Sequence, residues 1–93
     1  MAENSFIFTL DIKNKKGLHA RAASSFVRVA DQFQSDIFVE KDGQRVSGHS
    51  IMGLMMLAAA QGTSIKVFIE GDDATSAKEA LSELVNHKFF EED

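Results

Sequence analysis

Phe6, Phe8, Leu10 and Ile12 alternate with Ile7, Thr9 and Asp11, the two-residue period of a strand with one buried face. The period then changes. Ala23, Phe26, Val27 and Ala30 fall at the three- and four-residue spacings of a helical stripe, which predicts a helix from Ala20 to about Gln32. Ile37 and Val39 alternate with Asp36, Phe38 and Glu40, a second strand. Asp42-Gly43, within Lys41 to Gln44, supplies the positive φ angles of a tight hairpin turn into a third strand through Arg45 and Val46. Ser50 precedes a run from Ile51 to Ala60 in which Gly53 is the sole breaker, predicting a second helix closed by Gly62. Ile65, Val67 and Ile69 restore the strand period. Gly71-Asp72-Asp73 then turns the chain into a last helix from about Ala74 to His87, with Ala77, Ala80, Leu81, Leu84 and Val85 as its buried stripe.

The predicted order is βαββαβα, with no Pro-rich linker, low-complexity tract or internal repeat to divide it. The fold class expected is α+β, an open-faced β-sandwich with three helices on one face of a four-stranded antiparallel sheet. At 93 residues the chain has room for one core, so residues 1–93 are read as a single domain. Hydrophobic residues make up 44% and charged residues 26%, values of an ordinary globular chain. With no cysteine, disulfides and thiolate metal sites are excluded. No basic leader precedes an apolar run, and no stretch approaches the roughly 20 apolar residues of a membrane span. A cytoplasmic protein without membrane insertion is expected.

Charge narrows the function further. The formal net charge is −4, which opposes the phosphate-backbone attraction of nucleic-acid binders, so no nucleic-acid partner is expected. Locally the balance reverses: Lys13, Lys15, Lys16 and Arg21 bracket His19, whereas Glu91, Glu92 and Asp93 form an acidic end. A basic pocket on an acidic protein suits an anionic group.

His19 stands where a loop enters a helix, beside amides that lack intrahelical acceptors and at the positive end of the helix dipole. Gly17 allows the loop to turn sharply. With His19 at the N-cap, the amides of Ala20 and Arg21 are placed to receive phosphoryl oxygens, and the Arg21 guanidinium adds charge-assisted hydrogen bonds. An imidazole, with a reference pKa of about 6.5, is largely neutral and nucleophilic near neutral pH. An isolated histidine would more simply be a surface residue, and the segment around it carries the stronger reading.

Two motifs, GLHARAA at Gly17 to Ala23 and SIMGLMMLAAAQG at Ser50 to Gly62, resemble the HPr family, the histidine-containing phosphocarriers of the phosphoenolpyruvate-dependent phosphotransferase system. The resemblance covers nearly the whole chain. It implies a carrier rather than an enzyme, with His19 accepting phosphate on Nδ1 from enzyme I and donating it to a histidine of an enzyme IIA-type protein. Arg21 would coordinate the phosphate, and neither cofactor nor metal is implied. Ala22 departs from the family, which commonly has proline there. Alanine restores a donor in the first turn, which bears on transfer rate and partner preference more than on phosphorylation itself. The SIMGLMMLAAAQG run and the KFFEED ending also look like members of the nitrogen-related regulatory branch.

Ser50 is explained by helix capping alone, but the resemblance adds a phosphoserine made by HPr kinase/phosphorylase, and with it regulatory target proteins. Leu18, Ala20, Ile51, Met52 and Met55 are read as a partner-docking patch around His19, with methionine thioethers adapting to more than one partner. The protein is expected to be a monomer. Other readings weigh less: a metal site from His19, His49 and His87 needs three distant elements to converge, Ser24 and Ser25 lack a nucleophile elbow, and an RNA-binding sheet bearing Phe8, Phe38 and Phe68 conflicts with the acidic balance.

Overall fold

The computed structural model describes residues 4–91. Strand β1 (Ser5–Asp11) leads through the His19 loop into helix α1 (Ala20–Ala30). Strands β2 (Asp36–Lys41) and β3 (Gln44–Ser47) follow, then helix α2 (Ile51–Met56), strand β4 (Ser64–Glu70) and helix α3 (Ala74–Asn86). The sheet is antiparallel throughout, in the order β1-β4-β2-β3. The expected βαββαβα fold is therefore the one observed.

Register and burial agree with the period-two reading. Leu10 and Ile12 from the β1 segment, Ile37 and Val39 from β2, and Ile65, Val67 and Ile69 from β4 face the helices and are buried. Ala22, Ala23, Phe26, Val27 and Ala30 of α1 pack onto them with Ala77, Leu81, Leu84 and Val85 of α3. Ala80 is only half-buried, at the margin of the α3 stripe. Asp42 and Gly43 take φ of 53° and 81°, the pair of positive angles that a two-residue hairpin with the native strand twist requires.

Among the described residues no helix covers the opposite face of the sheet. Phe68 lies there, paired in register with Phe38 on one side and Ile7 on the other, and the Arg45 guanidinium sits 4.0 Å above its ring. Phe8 does not join them. It lies on the helix side with Phe6, packed against the core and under the Lys78 ammonium of α3. The three-phenylalanine surface expected of an RNA-binding sheet is thus divided between two faces.

Two helix boundaries differ from the sequence reading. α1 stops at Ala30 and passes into a turn at Asp31 and Gln32, a difference of the size that helix ends usually show. The change at α2 is larger, because that helix ends at Met56 rather than Ala60 and Ala58 is left-handed at φ 51°. Alanine has the highest helix propensity, so local preference would have continued the helix. Tertiary contacts override it: Leu57 and Ala59 are buried, and the Ala59 carbonyl accepts the Leu18 amide at 2.9 Å. Leaving the helix early is what lets the chain run back along the His19 loop.

Candidate functional site

The His19 loop is shaped from below by Asn14 and Gly17. The Gly17 amide donates to the Asn14 carbonyl, and the Asn14 side-chain amide donates to the Gly17 carbonyl at 2.8 Å. Gly17 has φ of 65°, and a Cβ there would lie 2.3 Å from the Ala59 carbonyl oxygen. Glycine is therefore required twice over, by the backbone angle and by the space.

His19 is the N-cap of α1, with extended backbone and no capping bond from its side chain. Its carbonyl accepts the first helical bond, from Ala23 at 2.8 Å. The amides of Ala20, Arg21 and Ala22 precede that closed turn and so have no acceptor within the helix. Their partial charges and the helix dipole place positive potential where the imidazole emerges. Ala22 is fully buried, and α1 starts regularly with alanine in that position.

Lys15, Lys16, His19, Arg21, Phe89, Phe90 and Glu91 line a cavity of about 420 Å³. The basic residues grouped around His19 in the sequence are thus grouped in space, except Lys13, which is not part of the lining. The His19 side chain is 26% exposed, accessible enough for a reacting group to reach.

Glu91 is the residue sequence reasoning missed. Its Oε2 lies 2.6 Å from His19 Nε2, and its Oε1 accepts from Asn14 Nδ2 at 3.1 Å. It arrives there because Lys88, Phe89 and Phe90, each at φ 57°, make a left-handed turn after α3. Such a conformation costs roughly 1–2 kcal/mol for each non-glycine residue, and Phe89, 5% exposed in the core, offsets that cost by its burial. The apolar pair Phe89-Phe90 after a finished helix was the available signal that the chain returns to the body. Glu92 and Asp93, the rest of the acidic end, lie outside the described residues.

The docking patch divides. Leu18 is 4% exposed and belongs to the core, which corrects its assignment to the surface: its amide is bound to Ala59 and its side chain is used in packing beneath the loop. Ala20, Ile51, Met52 and Met55 are exposed, and Met56 joins them. Ser50 caps α2, its hydroxyl accepting from the Gly53 amide at 2.9 Å. Neither His49 nor His87 lines this cavity: His49 Nδ1 lies 2.8 Å from Asp31 Oδ1, and the His87 ring stacks on Phe90. Among the described residues no helix is long and apolar enough to cross a membrane.

Comparison with known proteins agrees with this architecture. Residues 7–87 match the family model described as the PTS HPr component phosphorylation site. The phosphocarrier protein HPr of Neisseria meningitidis is 51% identical over 83 residues, covering 89% of this chain and 93% of that protein. A crystal structure of HPr from Thermoanaerobacter tengcongensis superimposes with a TM-score of 0.89 at 49% identity, over 95% of this chain and 99% of its own. The HPr dimer from the same organism gives 0.75 at 50% identity, over 90% and 97%. A match of this length and identity, on a sheet and helix order shared with those structures, places the chain in the HPr family of phosphocarrier proteins.

Proposed function

We propose that this phosphocarrier accepts a phosphoryl group on Nδ1 of His19 from a phosphohistidine of enzyme I and passes it to a histidine of an enzyme IIA-type protein in the cytoplasm. The observation that carries the reading is the position of His19 at the head of α1, in a cavity with Lys15, Lys16 and Arg21. In each transfer the lone pair of the accepting imidazole forms the new N–P bond as the donor's N–P bond breaks, and the donor ring keeps that electron pair. Both partners are imidazoles, so the protein's contribution is alignment and charge. The amides of α1 and the Arg21 guanidinium receive the phosphoryl oxygens, and the partner completes the site.

The exposed ridge of Ile51, Met52 and Met55, with Ala20 at the head of α1, serves as the docking surface. Large apolar side chains in water are costly unless a partner covers them, and thioethers adapt to several shapes. Ser50 is the regulatory site, taking phosphate from HPr kinase/phosphorylase. A phosphoserine adds about −1.5 to −2 charges at pH 7, beside a ridge that must meet phosphorylated proteins, and so slows transfer to and from His19. The working form is a monomer, which leaves that ridge open. Which enzyme I and enzyme IIA paralogues serve it, sugar-transporting or nitrogen-related, is decided by reconstitution with each pair.

The test is incubation with enzyme I, magnesium and phosphoenolpyruvate. The wild type gains one acid-labile, base-stable phosphate, and His19→Ala gains none. Failure of the wild type to be labelled in a mixture where enzyme I is active, or labelling that persists in His19→Ala, overturns the reading.

A further inference from the structure

The two oxygens of Glu91 are divided between two neighbours of different chemistry. One faces His19 Nε2 and the other faces the side-chain amide of Asn14. Asn14 is fully buried, and its amide group meets two acceptors, the Gly17 carbonyl and Glu91. An amide oxygen turned toward them would set acceptor against acceptor, so the NH2 must face both. Asn14 is therefore a donor to Glu91 by necessity.

An ionised carboxylate accepts hydrogen bonds and donates none. When the His19 ring is neutral, the nitrogen next to Glu91 must carry the proton, and the lone pair is left on Nδ1. We infer that Asn14 and Glu91 form a positioning relay that fixes the tautomer of His19 and so selects Nδ1 as the phosphoryl-accepting nitrogen. The inference rests on His19 being the phosphoryl acceptor. Neither Asn14 nor Glu91 touches the reacting nitrogen; both act through the far side of the ring. The Nε2 proton stays in place during transfer, the Nδ1 lone pair forms the bond to phosphorus, and the positive charge gained by the ring develops facing Glu91.

The relay makes an unusual prediction for Glu91→Gln. Asn14 still requires an acceptor, so the glutamine oxygen stays on its side and the glutamine NH2 turns to His19. Nε2 must then accept, the proton moves to Nδ1, and the nucleophilic lone pair is masked. The side chain keeps its size while the tautomer inverts, the logic by which an aspartate-to-asparagine change disables a catalytic triad. Glu91→Ala removes the partner and leaves both tautomers accessible through water. A merely structural role predicts the reverse order, with the isosteric glutamine milder than alanine.

The experiment reads ring 15N resonances in unphosphorylated protein, at a pH where His19 is neutral, alongside initial rates of phosphorylation by enzyme I and phosphoenolpyruvate. The expected result is an Nε2–H ring in the wild type and an Nδ1–H ring in Glu91→Gln. The rate falls about tenfold or more in Glu91→Gln, the order carried by residues that orient a histidine from behind, and by less in Glu91→Ala. An Nε2–H ring in Glu91→Gln, Glu91→Ala slower than Glu91→Gln, or Glu91→Ala faster than wild type each overturns the relay. The last outcome would make Glu91 a shield over the site. A wild-type protein that takes up no phosphate overturns the carrier reading instead, while the ring spectra still decide the tautomer.

Discussion

The Leu18 amide donates to the Ala59 carbonyl at 2.9 Å, which joins the loop carrying His19 to the segment that leaves α2. The same carbonyl oxygen stands 2.3 Å from where a Cβ on Gly17 would be. The loop is held close enough that no larger residue fits.

Gly17→Ala must therefore distort a left-handed backbone and push away a bonded carbonyl. We expect a loss of roughly 2 kcal/mol in urea unfolding, with slower phosphorylation because the loop that aims His19 moves. A variant as stable as wild type would mean that the loop accommodates the methyl group.

Leu18 and Met52 separate core from docking surface. Leu18→Ala is expected to cost about 2–5 kcal/mol of stability, the range for a buried leucine. Met52 is 71% exposed, so Met52→Ala should change stability by less than about 0.5 kcal/mol while raising KM for enzyme I. Unchanged KM in Met52→Ala and in Met52→Ala/Met55→Ala would remove the ridge from the docking surface.

Ser50→Ala deletes the acceptor of the Gly53 amide at the start of a six-residue helix and is expected to cost about 1 kcal/mol. Ser50→Asp keeps a capping acceptor and adds negative charge. Its stability should stay near wild type while its transfer rate falls, which distinguishes repulsion from loss of the cap. Equal transfer rates in Ser50→Asp and wild type would argue against charge-based regulation at this position.

Asp73 links the start of α3 to the turn before β2. The Ser35 hydroxyl donates to it, as do the Gln34 amide at 2.8 Å and the Ser35 amide at 3.0 Å, and these bonds, led by that from Ser35, hold its carboxyl below the usual value. A depressed folded-state pKa contributes stability above the unfolded value and loses it as pH falls through the folded one. Asp73→Asn should be less stable than wild type at pH 7, and the two should converge as pH drops below about 4. Denaturation midpoints across that range provide the check, and a gap constant with pH would exclude linkage through Asp73.

The strands and the stripes of α1 and α3 were legible because each buries one face, and Ile37, Val39, Phe26 and Leu81 repeat at the period that burial demands. His19 was legible because Gly17, Arg21 and the alanines of α1 lie within a few residues of it. Ala58 was not, since its left-handed turn answers to Leu18 across the fold and runs against its own propensity. Leu18 was misplaced for a related reason: an apolar residue next to an exposed histidine can point either way, and only the packing beneath the loop decides. Asn14 and Glu91 lay furthest from view, because their roles depend on the turn at Lys88–Phe90, which has no glycine to announce it.

His19 and Glu91 are 72 residues apart in sequence. During synthesis the head of α1 is made first, and the carboxylate behind the ring follows only 72 residues later. A growing chain can display the histidine, but it cannot present it oriented until the turn after α3 has closed. The pocket is thus a report on the folding of the whole molecule, and a chain cut short before Phe89 would expose its nucleophile without the group that sets it.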